Sequence, residues 1–185
     1  MSLASSALAI RARLSNFRSH EHAIAAVEFA LVLPFMIALL LGGIEISNAV
    51  SVSRKVTLTA HSVADLVTQY SSISSTQMST ILGATSVIMA PYSSTNLTFS
   101  VTAVKTNASS VATVCWSTSS SVKVGSTVTL PTSLQQPNMY YVWGQAQYTY
   151  TPSLGYKLTG PINIYDQIYL SPRLSTTIPY NGSAC

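Results

Sequence analysis

The pattern of apolar positions divides the chain into a continuous hydrophobic run and a longer region in which apolar and polar residues interleave. The run covers residues 24–44, and Glu28 is its only charged residue: IAAVEFALVLPFMIALLLGGI. A helix needs about 20 apolar residues to cross a hydrocarbon core about 30 Å thick. We therefore predict a transmembrane helix over residues 24–46.

Glu28 needs an explanation of its own, because a carboxylate is costly to place in lipid. Without it, the run from Phe29 to Ile44 would be about 24 Å long at about 1.5 Å per residue, which is too short to span. Glu28 therefore lies inside the membrane or at its edge. Acidic residues in such positions usually have a partner or a function; the alternative is a side chain that only reaches the headgroups.

Residues 1–23 form a basic leader, in which Arg11, Arg13 and Arg18 outnumber the single acid Glu21. The positive-inside bias places this leader in the cytoplasm and the rest of the chain outside it. A cleavable secretory signal has the same order of segments. However, its apolar region is shorter, about 7–15 residues, and its cleavage site follows that region.

Beyond the membrane the apolar positions keep a helical period. They recur at separations of three, four and seven residues, which predicts a helix extension over residues 47–70: Val52, Val56, Val63, Ala64 and Val67. His61 and Asp65 are four residues apart on it and could form a surface pair, although a bare dyad of this kind is usually a solvated contact. Inside the membrane span, Pro34 removes a backbone hydrogen bond, so we expect a kink there.

Residues 71–185 have the pattern of a mixed domain. Ser75 is a possible N-cap for a short helix that carries Met78, Ile81 and Leu82 and ends before Pro91. Four strands follow, indicated by alternation and by bounding turns: one from Leu97, Val111–Trp116, one over Tyr140–Tyr150, and Ile164–Leu170. The predicted fold is α+β, with an antiparallel sheet of about four strands packed on the helix extension.

Aromatic residues are concentrated in the second half of this domain, where eight of the ten tyrosines lie between Tyr140 and Tyr180. Exposed aromatics often bind ligands such as carbohydrates. The third strand nevertheless places its apolar and aromatic residues on one face, which favours a core: Tyr140, Val142, Ala146, Tyr148 and Tyr150.

The composition offers few candidates for catalytic residues. The histidines are His20 and His22 in the leader and His61 on the helix extension, so residues 71–185 lack the usual general base for their many Ser and Thr residues. The only side-chain carboxylates after residue 47 are Asp65 and Asp166, and no metal-ligand spacing or phosphate-binding glycine loop is present. We expect no catalysis, no cofactor and no metal. The sequence pI of about 9.2 reflects the leader and scattered basic residues, so nucleic-acid binding is not expected either.

The two cysteines, Cys115 and Cys185, both lie in the part that the arginine bias places outside the cytoplasm. An even pair in an oxidising compartment predicts a disulfide. Two unrelated buried cysteines are the alternative. Cys185 is the last residue of the sequence. A chain end is usually frayed unless a contact holds it, so a buried but unbridged cysteine is not expected at this position.

The segment AIAAVEFALVLP, from Ala23 to Pro34, and Gly42-Gly43-Ile44-Glu45 after it, resemble the TadE-like pseudopilins of tight-adherence (Tad, Flp-type) pilus systems in bacteria. A looser similarity covers two later stretches, residues 148–152 and 166–173. The family shows a basic leader, a Gly, four small or apolar residues, and then Glu followed by an aromatic residue. Here Ala23 stands where the family has Gly.

The resemblance implies that a prepilin peptidase cuts between Ala23 and Ile24, which leaves Glu28 at the fifth position before Phe29. It also implies that Glu28 pairs with the new α-amine when subunits assemble. The partners would be other Tad pilins or pseudopilins and the assembly platform, at a bacterial inner membrane with the C-terminal domain in the periplasm. The expected function is a minor pseudopilin of a pilus used in surface attachment. The alternative is an uncleaved, membrane-anchored periplasmic module that contacts pilus machinery or surface ligands.

Overall fold

The structure is a computed structural model that describes residues 21–153, 160–183 and 185. The chain divides into two compact units with a boundary between Ile46 and Ser47. The leader arginines and His20 lie outside the described residues, as do residues 154–159.

Two α-helices precede five strands. Helix α1 covers Glu21–Thr68 and helix α2 covers Ser75–Met89; the strands are β1 (Leu97–Thr106), β2 (Ala112–Ser117), β3 (Thr127–Val128), β4 (Tyr140–Tyr150) and β5 (Ile162–Leu170). The α+β fold class is therefore confirmed, and all four predicted strands are present. The fifth strand, β3, is too short to produce an alternation in the sequence.

The strands form one antiparallel sheet in the order β3-β2-β1-β4-β5. Its centre is the pairing of β1 with β4, which runs from Leu97 opposite Tyr148 to Lys105 opposite Tyr140. Strand β5 pairs with β4 over its full length, from Ile162 opposite Tyr150 to Leu170 opposite Val142.

One face of the sheet packs on α1. Every member of the predicted stripe is fully buried, together with Thr59 and Ala60: Val52, Val56, Val63, Ala64 and Val67. Helix and sheet approach closely at Gly144 in β4, where an added Cβ would lie 2.7 Å from Cβ of Ala64. That distance is shorter than the van der Waals contact distance of two carbon atoms. Only glycine therefore fits here without displacing the helix.

Helix α2 begins one residue away from the predicted N-cap. The cap is Ser74, not Ser75: its hydroxyl accepts a hydrogen bond from the Gln77 backbone N–H, and the Gln77 side chain accepts one from the Ser74 N–H. This reciprocal capping box satisfies the backbone N–H groups of Ser74 and Gln77 at once. An N-cap at Ser75 would not form this pair of hydrogen bonds. The helix ends at Met89, before Pro91 as predicted.

The tyrosines of β4 occupy both faces of the sheet. Tyr140, Tyr148 and Tyr150 are buried in clusters on the α1 side, as predicted. Tyr141 points the other way and is also buried, in a second small core with Val104, Ala112 and Leu130 that the one-face interpretation missed.

Candidate functional site

The residues predicted to form the processing site lie at the start of α1. Ile24, Glu28, Phe29 and Pro34 are all exposed along this part of the helix. Within the described residues, one helix, α1, is long and apolar enough to cross a membrane; the candidate span begins at Ile24, and its most apolar stretch is entirely unburied. An apolar helical stretch with exposed side chains is consistent with a membrane anchor.

The helical backbone fixes the relation between the predicted scissile bond and Glu28. Ala23 and Ile24 already have helical backbone, and Glu28 follows Ile24 by four residues. Residues four apart lie on the same helix face, about 6 Å along the axis. An α-amine at Ile24 would therefore be one turn from the Glu28 carboxylate. The helix continues through Pro34, and the kink predicted there stays a prediction.

The predicted disulfide is present and joins Cys115 in β2 to Cys185. The Cα atoms are 4.7 Å apart, across a sequence separation of 70 residues. Cys115 is only 7% exposed, whereas Cys185 lies at the surface. The bridge therefore holds the C-terminus against the sheet.

A second anchor of the C-terminus lies at Ile178, which is fully buried. Its carbonyl oxygen accepts two hydrogen bonds, one from Nε1 of Trp116 at 2.7 Å and one from the hydroxyl of Tyr140 at 2.9 Å. Burial raises the pKa of Tyr140, although the hydrogen bonds to Ile178 and Trp116 oppose this. Both lone pairs of a buried carbonyl are thus used.

The backbone that follows Ile178 pairs with the connection between the two helices. The N–H of Ile73 donates to the carbonyl of Pro179 at 2.9 Å, and the N–H of Asn181 donates back to Ile73 at 2.9 Å. The Asn181 side chain accepts from the N–H of Ser75 at 2.7 Å and so caps the first turn of α2. The sequence shows no periodicity in this segment, and only its terminal cysteine indicated that the end was held.

Asp65 pairs with a residue other than His61, the neighbour that its helical spacing suggested. It forms an ion pair with Arg173 and accepts a hydrogen bond from Nε2 of Gln69 at 2.9 Å, whereas His61 has no part in this contact. The N–H of Arg173 also donates to the carbonyl of Thr68 at 3.0 Å. Asp65 therefore fastens the segment after β5 to the end of α1, a contact that no local spacing could predict.

A single apolar helix that continues into a disulfide-bridged α+β domain is consistent with a membrane-anchored protein. The family model described as "TadE-like protein" matches residues 23–65, which include Ala23, Glu28 and Pro34. The resemblance to the TadE-like family is thus confirmed over this segment, and it indicates a component associated with a Tad pilus. No curated protein and no solved structure matches the chain.

Proposed function

We propose that the protein is a minor pseudopilin that acts as a structural and assembly component of a Tad-type pilus used in surface attachment. The observation that carries this proposal is the TadE-like match, which starts at Ala23 and includes Glu28 in one continuous helix. Helical packing of the apolar segment against other subunits would cover the side chains that are exposed in the single chain.

In this proposal a prepilin peptidase removes residues 1–23, and the α-amine of Ile24 pairs with Glu28 of its own or a neighbouring chain. A carboxylate that is desolvated among apolar helices is stabilised by such a cation, and removing one partner of a buried pair costs about 3–5 kcal/mol. Pairing between subunits would therefore set the register of the helices.

The proposed topology has a cytoplasmic N-terminus and a periplasmic C-terminal domain, and its partners are the other pseudopilins and the assembly platform. The disulfide supports an oxidising compartment for the domain. We also propose that the role is structural and not enzymatic. Within the described residues, no group of three or more His, Cys, Asp or Glu side chains could hold a metal ion.

The second candidate is an uncleaved, membrane-anchored periplasmic module that contacts pilus machinery or surface ligands. It is favoured by Ala23, because the family has Gly before the scissile bond. The two candidates share the same anchor and domain and differ in the fate of the leader.

The mass of the membrane-extracted protein distinguishes them. Loss of residues 1–23 supports the pseudopilin, and an intact leader supports the anchored module. Ala23→Gly should preserve or speed the cut, and Ala23→Phe should block it because a bulky side chain does not fit a site for small residues. An unchanged product mass with Ala23→Phe would contradict cleavage at this bond.

A further inference from the structure

The sheet face opposite α1 has an open part, which we call the polar sheet face: Trp143, Gln145, Gln147, Tyr165, Gln167 and Tyr169. Side chains alternate along a strand, and Gly144 and Ala146 of β4 face α1, so Trp143, Gln145 and Gln147 face away from it. The register places three pairs side by side across β4 and β5: Trp143 with Tyr169, Gln145 with Gln167, and Gln147 with Tyr165.

Hydrogen bonds between these side chains fix their positions. Nε2 of Gln145 donates to the hydroxyl of Tyr165 at 3.0 Å, and that hydroxyl donates to Oε1 of Gln167 at 2.8 Å. The same oxygen of Gln167 accepts from Nε1 of Trp143 at 3.0 Å. The network joins residues of two strands, so the orientations of the Trp143 and Tyr165 rings are set before any ligand arrives, and this lowers the entropy cost of binding.

The aromatic rings provide two contact points. The rings of Trp143 and Tyr169 are stacked with centroids 5.5 Å apart and planes inclined by 12°. They border the small core around Tyr141, whereas Tyr165 is 50% exposed. Tyr165 and Tyr169 are four residues apart on one strand, a distance of about 13 Å at about 3.3 Å per residue. An extended ligand can contact both.

The polar sheet face carries no ionisable carboxylate or cation. Its members are amides and aromatic residues, and Asp166, the one charged residue of β5, lies at an alternate position opposite Ala146. A nucleic acid would need cationic side chains, and an acidic ligand would find no charge to pair with here. A lipid surface would need apolar side chains where Gln145, Gln147 and Gln167 stand.

A neutral carbohydrate fits both features. The C–H faces of a pyranose ring are apolar and pack on aromatic planes, while its hydroxyls can donate to and accept from side-chain amides. We propose that the polar sheet face binds a linear neutral glycan. Tyr165 and the Trp143–Tyr169 pair stack on sugar rings, and the glutamine amides bind the hydroxyls between them. This activity is distinct from pseudopilin assembly and does not require it.

The test uses the full-length protein in phosphatidylcholine nanodiscs, because glycosidic detergents would compete. The probes are soluble oligosaccharides of β-1,4-glucose and of β-1,4-N-acetylglucosamine, with oligomers of alginate as an anionic comparison. Binding is followed by intrinsic tryptophan fluorescence, since Trp143 lies on the face and Trp116 is buried. We expect a neutral oligosaccharide to bind with little dependence on salt concentration.

Tyr165→Ala should weaken that binding about tenfold, which corresponds to about 1.4 kcal/mol, and Tyr165→Phe should retain most of it because the ring remains. Gln167→Ala removes the oxygen shared by Trp143 and Tyr165 and should also weaken binding, which provides a second variant if Tyr165→Ala alters the fold. Val87→Ala, at an exposed apolar position on α2, is the control and should bind like the parent.

The proposal is overturned if neither neutral oligosaccharide binds, if only alginate binds, or if Tyr165→Ala and Gln167→Ala both bind as tightly as the parent. Its failure is separable from that of the pseudopilin proposal, because the mass of the processed chain does not depend on the polar sheet face. A cleaved protein that binds no glycan would overturn this inference alone.

Discussion

The indole N–H of Trp116 donates to the carbonyl oxygen of Ile178 at 2.7 Å, between residues that are 62 positions apart in the chain. Trp116 ends the buried part of β2, and Ile178 belongs to the segment after β5. The ring of Trp116 also packs on Tyr180 with centroids 5.3 Å apart. A segment without regular structure is therefore held in the core by one carbonyl and one aromatic contact.

The first prediction concerns this carbonyl, which also accepts the hydroxyl of Tyr140. Tyr140→Phe should lower the free energy of unfolding by about 1 kcal/mol, the typical net value of one hydrogen bond, because Trp116 still satisfies the oxygen. Trp116→Phe should cost more, since it removes the other donor and leaves a cavity. The double variant leaves a buried carbonyl without a partner, so its cost should exceed the sum of the two single costs.

Urea unfolding of the four proteins in micelles, with the disulfide intact, measures this coupling. If the losses of unfolding free energy in the two single variants add up to the loss in the double variant, the two donors contribute independently and the prediction is contradicted.

The second prediction uses the same substitution at two glycines. Gly144→Ala should destabilise the domain by about 1–3 kcal/mol, because the added methyl would overlap Ala64 of α1 and force the packed layers apart. Gly83→Ala should stabilise it by up to about 1 kcal/mol, because Gly83 lies in α2 with open space where the methyl would go. Shifts in melting temperature of opposite sign for the two variants, relative to the parent, would confirm the prediction. Equal shifts would contradict it.

The sequence predicted those elements whose burial follows a local period. The α1 stripe follows a helical repeat, and strands β1, β2, β4 and β5 are runs of β-branched, aromatic and alternating residues bounded by turns, so both kinds of element are recognisable from the sequence. Contacts between distant segments have no such signal. The pairing of Asp65 with Arg173 and the docking of Ile178 depend on where the sheet places the chain after β5.

The candidate sites differ in the same way. The segment around Glu28 is recognisable because its chemistry is carried by neighbouring residues on one helix. The polar sheet face joins residues of two strands, so its members become neighbours only through the register of β4 and β5. The sequence interpretation assigned the tyrosines to a single core because it considered one face of β4; Tyr141 and Trp143 on the other face were the signal available.

The third prediction concerns the disulfide. Labelling of the denatured, unreduced protein should detect no free thiol, and alkylation of both cysteines under those conditions would refute the bridge. Cys185→Ser should destabilise the domain by roughly 4 kcal/mol in the chain-entropy estimate for a loop of this length. Cys185 is exposed, so this variant removes the cross-link without creating a cavity at the core. Parent protein with reductant should melt at the same lowered temperature as Cys185→Ser.

The fourth prediction concerns alkaline pH. Burial, with a smaller contribution from Tyr165, raises the pKa of Tyr169 to about 12, and burial also raises the pKa of Tyr140. The unfolded chain ionises near the ordinary value of about 10. The contribution of Tyr169 is therefore fully present below pH about 10 and is lost as the pH rises towards about 12; that of Tyr140 is lost in the same direction.

Tyr169→Phe keeps the ring stacked on Trp143 but cannot ionise, so its unfolding free energy should fall less steeply than that of the parent above pH about 10. At neutral pH the two proteins should differ by a constant amount. Denaturant titrations at successive pH values provide the measurement, and parallel curves throughout the alkaline range would contradict the assignment.

The last prediction is that Glu28 serves assembly and not insertion. Glu28→Gln should remain in the membrane, because an amide is cheaper to place in lipid than a carboxylate. It should nevertheless reduce the number of pili by at least about tenfold, since loss of a buried charge partner costs about 3–5 kcal/mol. Glu21→Gln is the matched control: it neutralises a carboxylate seven residues earlier, in the leader that cleavage removes, so the mature chain is unchanged. Membrane fractionation and pilus counts by electron microscopy separate the two steps. Normal piliation with Glu28→Gln would refute charge pairing, and loss of the protein from the membrane would show that Glu28 acts in insertion.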